Sequence, residues 1–72
     1  MITIEQVKGK TGLYFQHATA TYADKKRLLQ VRQTGKVKTW KTRPGEFKIP
    51  VKYGLKESFY ITDKDVADWD II

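Results

Sequence analysis

GKVKTWKTRPGEFKIPVKYG, residues Gly35 to Gly54, is the stretch from which the fold is read. From Glu46 to Tyr53 it alternates, with Phe47, Ile49, Val51 and Tyr53 on one side and Glu46, Lys48, Pro50 and Lys52 on the other. A period of two with one apolar side predicts a half-buried β-strand. Pro50 has no N–H to give to a ladder, which predicts that its position lies at an edge or a bulge. Thr42-Arg43-Pro44-Gly45 ahead of it predicts a turn, with Pro-Gly at its centre. Lys36 to Thr42 alternates less cleanly and carries Lys36, Lys38 and Trp40 on one side. A tryptophan among lysines is what a nucleic-acid surface would offer.

Upstream, Arg27 to Thr34 reads in two ways. As a helix it would be capped by Asp24 and ended by Gly35. As a strand it points Leu29 and Val31 inward and Leu28, Gln30 and Arg32 outward. The strand is preferred, because Thr34-Gly35 would then turn it straight into Lys36 to Thr42 as a hairpin. A two-residue loop sets Leu29 opposite Trp40 and mixes core with charge. A three-residue loop, Thr34 to Lys36, groups Leu29, Val31 and Val37 on one face and Gln30, Arg32, Lys38 and Trp40 on the other. Separation of apolar from charged selects the second register and places Trp40 on the basic face.

Earlier still, Leu13 to Tyr22 alternates and is rich in Thr, Tyr and Phe, which predicts another strand. It contains His17, which has no partner at metal-ligand spacing and reads as a structural or surface side chain. Ile2 and Ile4 alternate with Thr3 and Glu5 and predict a short first strand. Gly9-Lys10-Thr11-Gly12 reads as a turn. It lacks the upstream glycine of a phosphate-binding loop, for position 4 is Ile. Downstream, Gly54 ends the central strand and Ser58 to Ile61 forms the next. Thr62 with Asp65 three residues on is a capping signature for one helical turn over Asp63 to Ala67. Trp69 to Ile72 is the last strand.

These elements predict an all-β fold: a small, strongly bent antiparallel sheet or a partly open SH3-like barrel. It would have five to six short strands and one short helical turn near residues 63–67. The SH3-like comparison rests on element order alone and carries no activity. Seventy-two residues form one small β domain over 1–72, too short for a large core. There is no cysteine, so no disulfide framework or thiolate metal site is available. No signal peptide or membrane-length apolar run is visible, which leads us to expect a soluble protein of the cytoplasm.

The net charge is +6 and unevenly spread. Residues 25–56 carry eleven Lys and Arg against Glu46 alone, a net of +10, whereas residues 57–72 have a net of −4. A basic middle with an acidic end suggests a surface for a polyanion. The plainer account is a solvated, soluble domain.

Gly35-Lys36-x-Lys38-x-Trp40-Lys41, Pro44, Phe47, Pro50-x-Lys52-x-Gly54-Leu55 and Ile61-Thr62 together resemble short uncharacterised open reading frames of bacteriophages and bacteria. The likeness covers about residues 35–62. It implies a phage or bacterial origin, hence a bacterial host cell, and carries over no activity.

Catalysis finds little support. A lone histidine has no triad partner and there is no thiol. Asp63, Asp65 and Asp68 lack the glycine and terminal glutamate of a calcium loop. The sequence therefore predicts a protein that is no enzyme and needs no cofactor or metal. The expected function is binding of single-stranded RNA or DNA with low sequence specificity, Trp40 stacking on bases and Arg32, Lys36 and Lys38 meeting phosphates. Arg43, Lys48 and Lys52 extend the patch. An alternative places Trp40 in the core, with the lysines merely solvating edge strands. A second functional reading is a phage-type module that docks on an acidic host or phage protein through an aromatic groove or an exposed strand edge. Tyr14, Tyr22, Tyr53, Tyr60 and Trp69 would line that groove. Monomer and dimer are both compatible with the sequence.

Overall fold

The computed structural model describes residues 1–72. Its order is α1 (Ile4–Val7), β1 (Tyr14–Thr21), β2 (Leu28–Gln33), β3 (Lys38–Thr39), β4 (Phe47–Tyr53), β5 (Glu57–Thr62), a 3₁₀ turn (Val66–Asp68) and β6 (Trp69–Ile71). The six strands form one antiparallel sheet, ordered β3-β4-β2-β1-β6, with β5 on the other flank of β4. The mainly-β reading holds, and the strand alternative for residues 27–34 is the one observed. The sheet curls but does not close. Edge strands β5 and β6 approach through the rings of Phe59 and Trp69, 6.1 Å between centroids, with no ladder between them.

β4 is the hub. Lys48 to Tyr53 pair with β5 along one flank. The other flank is shared, β3 taking Phe47 and Lys48 and β2 taking Val51 and Lys52. Phe47, Ile49 and Val51 are buried and form a single core with Ile2, Val7, Phe15, Val31, Ile61, Val66 and Trp69.

Three sequence expectations are corrected. The first concerns the N-terminus, where Ile2 and Ile4 lie not in a strand but around a helical turn. The backbone N–H of Thr3 donates to Gln6 Oε1 at 2.9 Å, and the N–H of Gln6 donates to the Thr3 carbonyl at 3.1 Å. Thr-x-x-Gln is a helix-start spacing, and here it outweighs β-branched composition. The turn sends both Ile2 and Val7 into the core.

The second correction removes the Thr34-Gly35 hairpin, and with it both registers considered for it. β2 pairs with β1 and β4, never with β3. Lys36 to Thr42 shrinks to the two-residue β3, which pairs only with β4. Two-residue hairpin turns need positive φ, and Gly35 does not adopt it, unlike the other four glycines. Instead the chain runs on past β4. Thr34 N–H donates to the Pro50 carbonyl at 2.9 Å, and a Cβ on Gly35 would lie 3.4 Å from the Pro50 ring.

The third correction follows from the second. Pro50 lies neither on an edge strand nor in a bulge but inside the central strand. Its carbonyl and its nitrogen point to the same flank, as in any extended residue. That flank is where β3 has ended and β2 has only begun to pair, so no ladder bond is lost there. The turn before β4 is as expected. Glu46 N–H donates to the Arg43 carbonyl at 3.1 Å across Pro44 and Gly45. Gly45 has φ +87°, suited to a type II turn.

The helical turn falls slightly later than the capping signature suggests, at Val66–Asp68. Asp65 Oδ2 accepts from the Thr62 hydroxyl at 3.0 Å and from its N–H at 3.3 Å. That closes one turn before the 3₁₀ turn begins.

His17 has a structural role. The β1–β2 register shifts between Gln16 and Thr21, making a bulge in β1. His17 Nδ1 accepts the N–H of Thr19 at 3.1 Å and of Ala20 at 2.8 Å, two donors that the bulge takes from the ladder. Its ring packs edge-on against Trp69 at 4.8 Å. His17→Ala is expected to destabilise the fold by about 1–3 kcal/mol, because it strips both N–H groups of their acceptor and Trp69 of its edge-on partner. Urea unfolding monitored by circular dichroism measures this, and an unchanged midpoint would refute the assigned role.

Candidate nucleic-acid interface

Alternation along β4 determines what faces away from the core. With Phe47, Ile49 and Val51 inward, Lys48, Pro50 and Lys52 point outward, and the cross-strand partners extend each position into a row. One row runs Tyr14, Arg32, Lys52 and Ser58 across β1, β2, β4 and β5. The next pairs Pro50 with Tyr60. The third runs Lys38, Lys48 and Thr62 across β3, β4 and β5. No acidic residue stands in any row.

Two features of these rows are costly to the fold. Arg32 lies directly opposite Lys52, and Lys38 directly opposite Lys48. Like charges in direct cross-strand pairs are destabilising. Lys48 and Lys52, four residues apart on one strand, carry the two pairs roughly 13 Å from each other.

The Lys38–Lys48 pair is offset by aromatic rings. Lys48 is half-buried, its Nζ 4.2 Å from the Tyr60 ring centroid and 5.7 Å from that of Trp40. Lys38 Nζ is 5.7 Å from the same Tyr60 ring. A cation over a ring face is attracted by the ring quadrupole. Trp40 is 38% and Tyr60 43% exposed, so both rings remain open to a further partner.

Trp40 therefore belongs to the surface rather than to the core, although no β2–β3 hairpin puts it there. It follows β3 and leads into the turn before β4, whose pairing with β3 sets Trp40 beside Lys48. Arg43, on that turn, lies next to Trp40 in a groove that also takes in Lys48 and Lys64 together with the carboxylates Glu46 and Asp63, and its Nη1 is 3.7 Å from Glu46 Oε2. Lys36 is exposed in the β2–β3 loop, outside the rows. Of the seven residues proposed from sequence, Lys38, Trp40, Arg43 and Lys48 thus form one cluster, and Arg32 and Lys52 a second on the same sheet face.

Tyr60 and Lys64 are not among those seven. The sequence groups Tyr60 with the other aromatics, and its alternation with Phe59 and Ile61 is the signal that could have placed it here. Lys64 offers none, since it joins the site only where the turn after β5 folds back beside Arg43. The expected aromatic groove is not assembled. Tyr22 stacks on Tyr53 at 5.7 Å beneath the Arg27 guanidinium, Tyr14 lies beside Arg32, and Trp69 is buried. No three metal-ligating side chains come together, and no helix is long and apolar enough to cross a membrane.

No protein-family model matches the chain, and no curated protein or solved structure is significantly similar to it.

With Trp69 buried and Trp40 half-open beside lysines, iodide is expected to quench mainly Trp40 emission, the anion being drawn to Lys48 and Arg43. In Trp40→Phe the iodide quenching constant should fall severalfold. Equal quenching in both proteins would contradict this placement of the two indoles.

Proposed function

We propose that the protein is a non-enzymatic binding module for single-stranded RNA or DNA, acting through the outward face of β4 and its neighbours. The observation that carries this reading is the pair of like-charged cross-strand contacts, one of them packed against two open aromatic rings. A fold this small has little stability to spare. It nevertheless holds Arg32 against Lys52 and Lys38 against Lys48, an arrangement that a polyanion relieves by neutralising the cations.

The division of labour follows from the chemistry. Lys38, Lys48, Arg32 and Lys52 meet phosphates, while Trp40 and Tyr60 supply ring faces for unpaired bases. In the free protein the Lys48 ammonium lies over part of the Tyr60 ring, which is otherwise open. A phosphate attracts that ammonium more strongly than a ring quadrupole does, and its movement opens more of the ring to a base. Single strands are favoured over duplex, since the open rings of Trp40 and Tyr60 stack on bases that are unpaired.

The test is a titration of tryptophan emission with oligouridylate, oligothymidylate and a duplex at several salt concentrations. Single strands are expected to quench and to bind more tightly than duplex. The logarithm of affinity should fall linearly with the logarithm of salt, with a slope of about −2 to −3 for three to four phosphate contacts. Trp40→Ala and Tyr60→Ala should each cost about 1–3 kcal/mol of binding, and Lys48→Gln should make the slope shallower by about 0.7. Absence of binding at low salt rules the reading out and turns the search to an acidic protein partner.

A further inference from the structure

Glu46 is the one acid among residues 25–56, and it stands at the proposed site rather than away from it. A carboxylate there repels phosphates, so its position calls for another role. Trp40 has two sides. Toward Lys48, Asp63 and Lys64 lies the groove described above. Toward Ile4 and Thr39 lies a separate cavity of about 160 Å³, and Arg43, Glu46 and Phe47 line both. The second cavity is the more apolar and about the size of one purine base. It joins a ring for stacking to a charged pair able to hydrogen-bond at a base edge.

We infer that this cavity takes a guanine base of the single strand, read along its Watson–Crick edge by Glu46 and Arg43. That edge presents two adjacent donors, N2–H and N1–H, followed by an acceptor, O6. A carboxylate accepts the two donors and a neighbouring guanidinium donates to O6, so the side-by-side pair Glu46–Arg43 is complementary to guanine. No other base offers two donors next to an acceptor on that edge. Adenine and cytosine each present one amino donor beside a ring acceptor that the carboxylate repels, and uracil presents one donor between two acceptors. The pair stands at 3.7 Å and is exposed, so it is loose enough for both partners to turn to a base. Trp40 stacks on the purine and the Lys48 side of the indole keeps the adjoining phosphate.

This inference rests on the nucleic-acid reading of the adjoining sheet face, and the experiment separates the two. The full chain is titrated with nine-residue oligouridylates whose central position is G, A, C, U or inosine, and with the matching oligothymidylates. A single guanine per strand avoids quadruplexes. The G-centred strand should bind about tenfold more tightly than the U-centred one, and inosine, which lacks the N2 amine, should fall between them. In Glu46→Gln the ratio between G and U strands should collapse toward one, while affinity for the all-U strand rises as a repelling charge is removed. The melting curve of the variant confirms that it is folded. Tight binding with equal affinity for all central bases overturns the guanine site and leaves the single-strand module standing. A preference that survives in Glu46→Gln also overturns it. Failure of every strand to bind overturns both.

Discussion

A strand bonded on both flanks has only its two faces left to give, and β4, paired with β5 on one flank and with β3 and β2 on the other, is the one that carries the site. Its inward side chains, Phe47, Ile49 and Val51, hold the centre of the core. The same pleat must send Lys48, Pro50 and Lys52 the other way. Core and candidate interface are therefore the two faces of a single seven-residue element. A slip of one residue in its pairing would bury lysines and expose the apolar set, so the register that stabilises the fold also positions the site.

So small a core leaves the loops to be held by polar contacts, those of His17, Asp65 and Gln33 among them. His17 gathers the donors released by the β1 bulge. Asp65 closes the turn after β5 through Thr62. Gln33 is fully buried in β2, and its Nε2 donates to the carbonyls of Lys10 and Gly35, each at 2.8 Å. It thereby ties the turn after α1 to the segment that runs past Pro50. Its Oε1 finds no partner, a cost set against two loops tethered at once. Each of these side chains bonds to backbone, which suits a chain too short to bury its connections.

Charge is concentrated along the chain but is not split between opposite ends of the sheet. β3 and β4 carry Lys38, Lys48 and Lys52, while Asp63 lines the groove beside Lys48 and Asp65 bonds to Thr62, the cross-strand partner of Lys48. The open rings of Trp40 and Tyr60 lie beside these lysines. Affinity from charge and contact from stacking thus fall on the same few residues, whereas Arg27, over the stacked Tyr22 and Tyr53, stands outside the rows.

The sequence by itself determined the elements with strong local rules. Glu46 to Tyr53 alternates over its whole length and Pro44-Gly45 can hardly be other than a turn, whereas Arg27 to Thr34 fits helix and strand alike, and the hairpin that favoured the strand does not form. The first two follow from period and backbone sterics, which act between near neighbours. It also showed that charge is concentrated in the middle of the chain. Which strands pair was decided only by the tertiary structure. Thr34-Gly35 has the composition of a hairpin turn, yet β2 joins β1 and β4, and Gly35 runs on past the Pro50 ring. At the N-terminus, Thr3 and Gln6 outweighed the strand pattern because the helical turn brings both Ile2 and Val7 to the core. The meeting of Trp40, Tyr60, Lys38 and Lys48 likewise joins three separate segments. Its cause is long-range pairing with β4, and no local signal encodes which flank of a strand another segment will choose.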